Sequence, residues 1–217
     1  MWDGRVDSMN DFFTYEIQPV DFRRLRKFKE IEALRGIQQN TEWHQEGDAY
    51  EHTKLVVNCM YNHLKQLKKH NAWYEETMLL VAIFHDVGKA VTTKYDHKDG
   101  LYHCPNHAEK SAEIFKEYNK YLTGSRYAED LVRYHMQPMY ILTSKDPKKA
   151  IVNLIDKCAP WWKVGDKGVF MRDLLRLKWC DQEGQINDKG DKWKEILEKV
   201  KDLFNEIYPN EKINSIW

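Results

Sequence analysis

Hydrophobic positions recur at helical spacing along most of the chain. Phe22, Leu25, Phe28, Ile31, Ala33 and Leu34, with Arg and Lys between them, predict an amphipathic helix over residues 21–39. Residues 42–48 form a polar connection, and Asp48 is placed to cap a helix over 49–70. Residues 75–87 are apolar nearly all round, the mark of a central buried helix, with Gly88 as a natural stop. The pattern changes over 92–104, where Thr and Tyr flank Asp99-Gly100 and predict a small β-hairpin. Asn106 and Ser125 then stand as caps of helices reaching about Tyr121 and Met136, the second closed by Pro138. Further helices are expected over 146–158, 168–180 and 191–207. The fold class is all-α, with one hairpin.

Composition narrows the setting. At 217 residues the chain suits one well-cored domain, and 42% hydrophobic residues argue against disorder. Lys+Arg and Asp+Glu cancel at 34 each, so net charge advertises neither nucleic acid nor an anionic membrane. Cys59, Cys104, Cys158 and Cys180 are scattered without a C-x-x-C pair, which argues against a zinc ribbon or a thioredoxin-like motif. The start lacks a signal-like apolar region and the longest apolar run, 78–84, is too short to span a bilayer. A cytoplasmic, reducing setting is the default expectation. There is no repeat or low-complexity linker; an irregular segment (1–20), one domain (21–207) and a tail (208–217) are expected.

The sharpest local feature is the string Leu80-Val81-Ala82-Ile83-Phe84-His85-Asp86-Val87-Gly88-Lys89. A His-Asp pair ending an apolar helix is carried into or beside the core, where a bare charge is costly and a metal ion relieves it. Imidazole with carboxylate suits a first-row divalent cation. The ordinary alternative is a helix end where His favours the dipole and Asp is solvated. His52, His107 and His135 also have ordinary readings: a surface residue, an aid to the cap beside Asn106, and a partner for a helix dipole. Asp181 follows the apolar Leu174, Leu175, Leu177 and Trp179, so it either faces inward or merely ends a helix. Glu109 is a candidate to support a ligating histidine.

His52, then His85-Asp86, then Asp181 resembles the H…HD…D pattern of the HD phosphohydrolase superfamily, and Gly88-Lys89 completes its HDxGK string. A closer likeness lies in Leu34-Arg35-Gly36-Ile37-Gln38-Gln39 and Glu42-Trp43-His44-Gln45-Glu46-Gly47-Asp48 leading into Glu51-His52-Thr53. With Asn106-His107-Ala108, Tyr134-His135, Ile151-Val152-Asn153-Leu154 and Trp161-Trp162, it resembles the HD domain of bacterial CCA-adding tRNA nucleotidyltransferases from about Ile31 to Gly184. Neither the Gly-Ser strand motif nor the D-x-D of their nucleotidyltransferase head is found, nor a phosphate-binding G-x-x-x-x-G-K-[ST] loop, which excludes nucleotide addition and kinase chemistry on this chain.

The resemblance implies a helical HD bundle in which His52, His85, Asp86 and Asp181 hold one divalent ion. His107 and His135 would hold a second ion, with Asp86 bridging. The metal would be Mn, Ni, Co, Fe or Mg, activating water and polarising a phosphoryl oxygen. Lys89 would steady a phosphate, or else be a solvated helix-end lysine. The implied substrates are nucleotides or RNA ends, through 2′,3′-cyclic phosphodiesterase, 2′-nucleotidase or phosphatase chemistry. Alternatives are hydrolysis of free nucleoside mono- or triphosphates or signalling dinucleotides, or a non-catalytic nucleotide-binding module. Trp43, His44, Trp161, Trp162, Tyr95 and Tyr102 could offer faces for base stacking. The basic runs 23–27 and 65–69 read as solvated helix faces.

Overall fold

Hydrophobic burial decides where the elements lie. The computed structural model describes residues 19–67, 72–123, 125–158, 166–186 and 192–217. A 3-10 turn (Arg24–Lys27) and a short helix α1 (Lys29–Glu32) precede α2 (Ala49–Gln66), α3 (Ala72–Phe84) and α4 (Lys89–Thr92). Strands β1 (Lys94–Asp96) and β2 (Leu101–His103) lead to α5 (His107–Asn119) and α6 (Arg126–Tyr134). The chain continues with α7 (Gln137–Thr143), α8 (Pro147–Cys158), α9 (Asp166–Glu183) and α10 (Lys192–Ile207). The fold is all-α, as expected, with its one described sheet a hairpin.

Every side chain of α3 from Thr77 to Phe84 is buried. It is the axis of the bundle, flanked by α2, α5, α6 and α9, while α7 and α10 pack on α9 and α8 packs on α7 and α10. Asp48 caps α2 as predicted, its carboxylate accepting from the Tyr50 and Glu51 amides at 3.0 and 2.9 Å. The hairpin pairs Tyr95 with Tyr102, and Gly100 takes φ 72° in its turn, a conformation that favours glycine. No helix among the described residues is long and apolar enough to cross a membrane. The last residues are anchored: Arg176 Nε donates to the Ile216 carbonyl at 2.7 Å, and Ile213 and Ile216 are buried.

Several expectations need correction. The helix over 21–39 is broken into the 3-10 turn and α1, because Phe28 is extended (φ −90°, ψ 100°) to wedge its ring against Phe84 and Tyr118. Its apolar pattern still marked the core: Leu25, Phe28, Ile31 and Leu34 are buried, while Ala33 is exposed. Pro138 opens α7 rather than closing the preceding helix, occupying the first turn where its missing N–H costs nothing. Asn106 lies in the left-handed region (φ 56°) and caps nothing with its side chain. Gly88 is helical in backbone (φ −63°), so close packing and not a helix stop explains it. A Cβ there would meet the His107 carbonyl oxygen at 2.3 Å and the Ser111 nitrogen at 2.7 Å. Residues 1–18 of the expected irregular segment 1–20, and Lys68, Lys69, Trp161, Trp162 and Asp191, lie outside the described residues.

Candidate metal centre

Because α3 is buried to its end, the turn after it delivers His85 and Asp86 into the interior, 0% and 1% exposed. Around them converge His52 from the first turn of α2, His107 from the start of α5, His135 just beyond α6, and Asp181 near the end of α9. His52 is fully buried, so the surface reading of that residue is overturned. The sequence pattern thus comes together in space. His52, His85, Asp86 and Asp181 offer ligand atoms within 4.8 Å of one another, and Asp86, His107 and His135 form a second such group.

Asp86 joins the two groups through different oxygens. Its Oδ2 faces His85 Nε2 at 3.2 Å and His52 Nε2 at 3.7 Å. Its Oδ1 faces His107 Nε2 at 3.3 Å and His135 Nε2 at 3.7 Å. Three imidazoles are aimed by one local device. In His85, His107 and His135, Nδ1 donates to the carbonyl three residues upstream, each at 2.8 Å, which turns Nε2 toward the centre. His52 differs, because its Nδ1 faces the Glu46 carboxylate at 2.9 Å.

The electrostatics are those of a crowded interior. Burial pushes the Asp86 carboxyl up, but His85 and Lys89 outweigh it and hold it well below the carboxylate range. Asp181 goes the same way through Lys178, His52 and His85. Burial would lower His85, yet Asp86 and Asp181 raise it to about 10. His135 is driven down to about 3 by burial and by His107 and His85. Despite this concentration of charge, His85 Nε2 and both Asp86 side-chain oxygens are buried without a well-formed hydrogen bond. Lys89 Nζ stands 2.7 Å from Asp86 Oδ2 as an ion pair, and is hydrogen-bonded instead to Gln39 Oε1 at 2.7 Å. Orphaned imidazole and carboxylate atoms of this kind fit a divalent cation: the His/Asp cluster could hold a metal ion.

A cavity of about 390 Å3 opens onto this centre, lined among others by Asp86, Lys89, His44, Trp43, Tyr102 and Lys178. Lys89 is 6% exposed, not the solvated helix-end residue of the alternative reading. His44 reaches the cavity wall with Nδ1 on Glu46 Oε1 at 2.7 Å. Tyr95 does not line the cavity and is 46% exposed. Glu109 supports no histidine: it pairs with Arg133, while His107 Nδ1 uses the Cys104 carbonyl. Sequence reasoning missed Lys178, buried on α9 with Nζ 2.6 Å from Asp181 Oδ2. Its one signal was a lysine three residues before an inward-facing Asp, on the same helix face.

Comparison with known proteins agrees with this geometry. The HD domain family matches the chain over residues 49–161, and the chain belongs to that family. HD domains are typical of metal-dependent phosphohydrolases. A multifunctional CCA protein of Mannheimia succiniciproducens is 26% identical over 138 residues, covering 63% of this chain. The match spans 31% of that relative's length.

Proposed function

We propose that the protein is a metal-dependent phosphohydrolase acting on nucleotides or phosphate-bearing RNA ends, with phosphodiesterase or phosphatase chemistry. The observation that carries the reading is the set of buried, unsatisfied atoms on His85 and Asp86, beside a cavity that Asp86, Lys89 and Lys178 line. His52, His85, Asp86 and Asp181 would hold one ion, and Asp86 with His107 and His135 would hold a second. When bound, a divalent ion supplies Lewis acidity at the phosphoryl oxygen and a lowered pKa for water. Hydrolysis adds water at phosphorus and expels an alkoxide. Lys89 and Lys178 face the cavity as buried ammonium groups and offset the charge of the phosphate. His44, Trp43 and Tyr102 contact the remainder of the substrate along the wall.

The likeness to a CCA protein is the reason for placing a nucleic-acid substrate first. The cavity volume, at the small end of ligand pockets, favours a second reading in which a free nucleotide is hydrolysed. A panel of 2′,3′-cyclic, 2′-, 3′- and 5′-monophosphates and deoxynucleoside triphosphates, assayed with Mn, Ni, Co or Mg, separates the two. Metal-dependent turnover on the panel is expected. Asp86→Ala should lose roughly 1,000-fold in rate, since an ion contributes several kcal/mol to the transition state. No turnover on any substrate with any metal would move the assignment to a non-catalytic nucleotide-binding module.

A further inference from the structure

We propose that Glu46 is the positioning residue for His52, fixing which nitrogen faces the metal centre and setting the affinity of the centre for a divalent cation. The inference rests on the metal-binding reading above and goes beyond the ligand set to the residue that supports it.

The contrast among the four histidines motivates it. His85, His107 and His135 are each oriented by a backbone carbonyl of their own segment. His52 sits on α2, where the carbonyls of its own turn are committed to the helix, and a side chain from the preceding loop takes over. Glu46 Oε1 lies 2.9 Å from His52 Nδ1 as an ion pair, and the same nitrogen hydrogen-bonds to the Gly184 carbonyl at 3.3 Å. The Glu46 side chain is 1% exposed and is held from two directions. Its Oε2 accepts from the Ile186 amide at 2.9 Å, and the neighbouring Gln45 amide donates to the Ile186 carbonyl at 2.9 Å. Thus the segment after α9 clamps the carboxylate against the first turn of α2.

The chemistry follows from what an ionised carboxylate can do. It only accepts, so with a cation on Nε2 the remaining ring proton of His52 sits on Nδ1, facing Glu46. Nε2 faces Asp181 Oδ1 at 3.0 Å, a hydrogen bond that a bound cation would replace, and Asp86 Oδ2 at 3.7 Å. A carboxylate behind an imidazole also strengthens the opposite nitrogen as a metal donor, beyond what a neutral carbonyl gives. Glu46→Gln keeps the shape but offers one acceptor oxygen where the carboxylate offers two. Three donors now converge on Glu46, from His44, His52 and the Ile186 amide, and the variant leaves at least one of them facing an amide N–H.

Calorimetric titration with Mn2+ tests this without reference to turnover. The wild type should bind, and Glu46→Gln should bind about 10- to 100-fold more weakly. Asp48→Ala serves as the control for a general disturbance of the loop. It removes the helix cap and the acceptor of the Gly36 amide, and should lower the melting temperature while leaving Mn2+ affinity near the wild-type value. Equal affinity in Glu46→Gln and wild type would overturn the proposal, and so would an equal loss in the two variants. Absence of Mn2+ binding by the wild type would overturn the metal reading itself, a different result from either. Should Glu46→Gln fail to fold, Glu46→Asp, which keeps the charge but shortens the reach to His52, is titrated with Mn2+ in its place. Weaker binding is expected; affinity equal to the wild type would overturn the proposal.

Discussion

Helix α9 carries two buried aspartates, Asp173 and Asp181, roughly two turns apart, and they are treated in opposite ways. Asp173 is closed. Its Oδ1 accepts from Tyr74 Oη at 2.9 Å, Arg172 Nε at 2.8 Å and Arg176 Nη1 at 3.3 Å. Its Oδ2 accepts from Tyr127 Oη at 2.5 Å. Asp181 belongs to a cluster that stays open: it is held by Lys178 and His52, yet its neighbours His85 and Asp86 keep buried atoms with no well-formed hydrogen bond. Burial alone therefore does not mark a functional acid. A buried polar group with all its partners supplies structure, and one whose cluster retains spare lone pairs is built to receive a ligand.

Substitutions at the two sites should separate along this line. The largest effect is the loss of activity in Asp86→Ala described above, read as rate. Asp173→Ala should instead cost about 3–5 kcal/mol in chemical denaturation, because it removes the acceptor shared by the buried Arg176 and the partly buried Tyr74 and Tyr127 hydroxyls. Its Mn2+ affinity should remain that of the wild type; a large loss would merge the two clusters into one functional unit. Mn2+ at 100 times its dissociation constant should stabilise the wild type by about 2.7 kcal/mol and Asp86→Ala far less, measured as a shift in the unfolding midpoint.

Smaller effects sharpen the picture. Gly88→Ala must displace the backbone of α5 at His107 and Ser111, with an expected cost of about 1–3 kcal/mol in denaturation and a weaker hold on His107. The closed end of the bundle should also show a pH signature. Burial and the nearby Arg176 lower His63 to about 4 from its ordinary 6.5. As pH falls below about 6.5 the unfolded chain takes up a proton that the folded one refuses, so stability declines until pH approaches 4. His63→Leu should flatten that slope in denaturation curves taken across the window. An unchanged slope would assign the acid sensitivity elsewhere.

Much of the open site was legible in the sequence because its signals are local. An apolar run ending in His85-Asp86, followed by Gly88-Lys89, announces itself within a few residues. His52, His107, His135 and Asp181 became convincing only as a spaced set, and the structure brings that set together. What escaped depends on partners distant along the chain. Glu46 finds His52 within one turn of the loop, but its second anchor is Ile186. Asp173 looks like any acid on an apolar helix until Tyr74 and Tyr127 arrive from elsewhere. The same limit broke the predicted helix over 21–39, where the packing of Phe28 against Phe84 and Tyr118 overrides a local helical pattern. Pro138 misled for a different reason: proline after a helix and proline in the first turn of the next one look alike in sequence.

The central claim is that the orphaned atoms of His85 and Asp86 are metal ligands. Anomalous diffraction at the manganese edge, from crystals grown with Mn2+, tests it directly. A peak is predicted among His52, His85, Asp86 and Asp181, with any second peak between Asp86, His107 and His135. Crystals that bind Mn2+ only at surface carboxylates, leaving the buried cluster without a peak, would contradict the account.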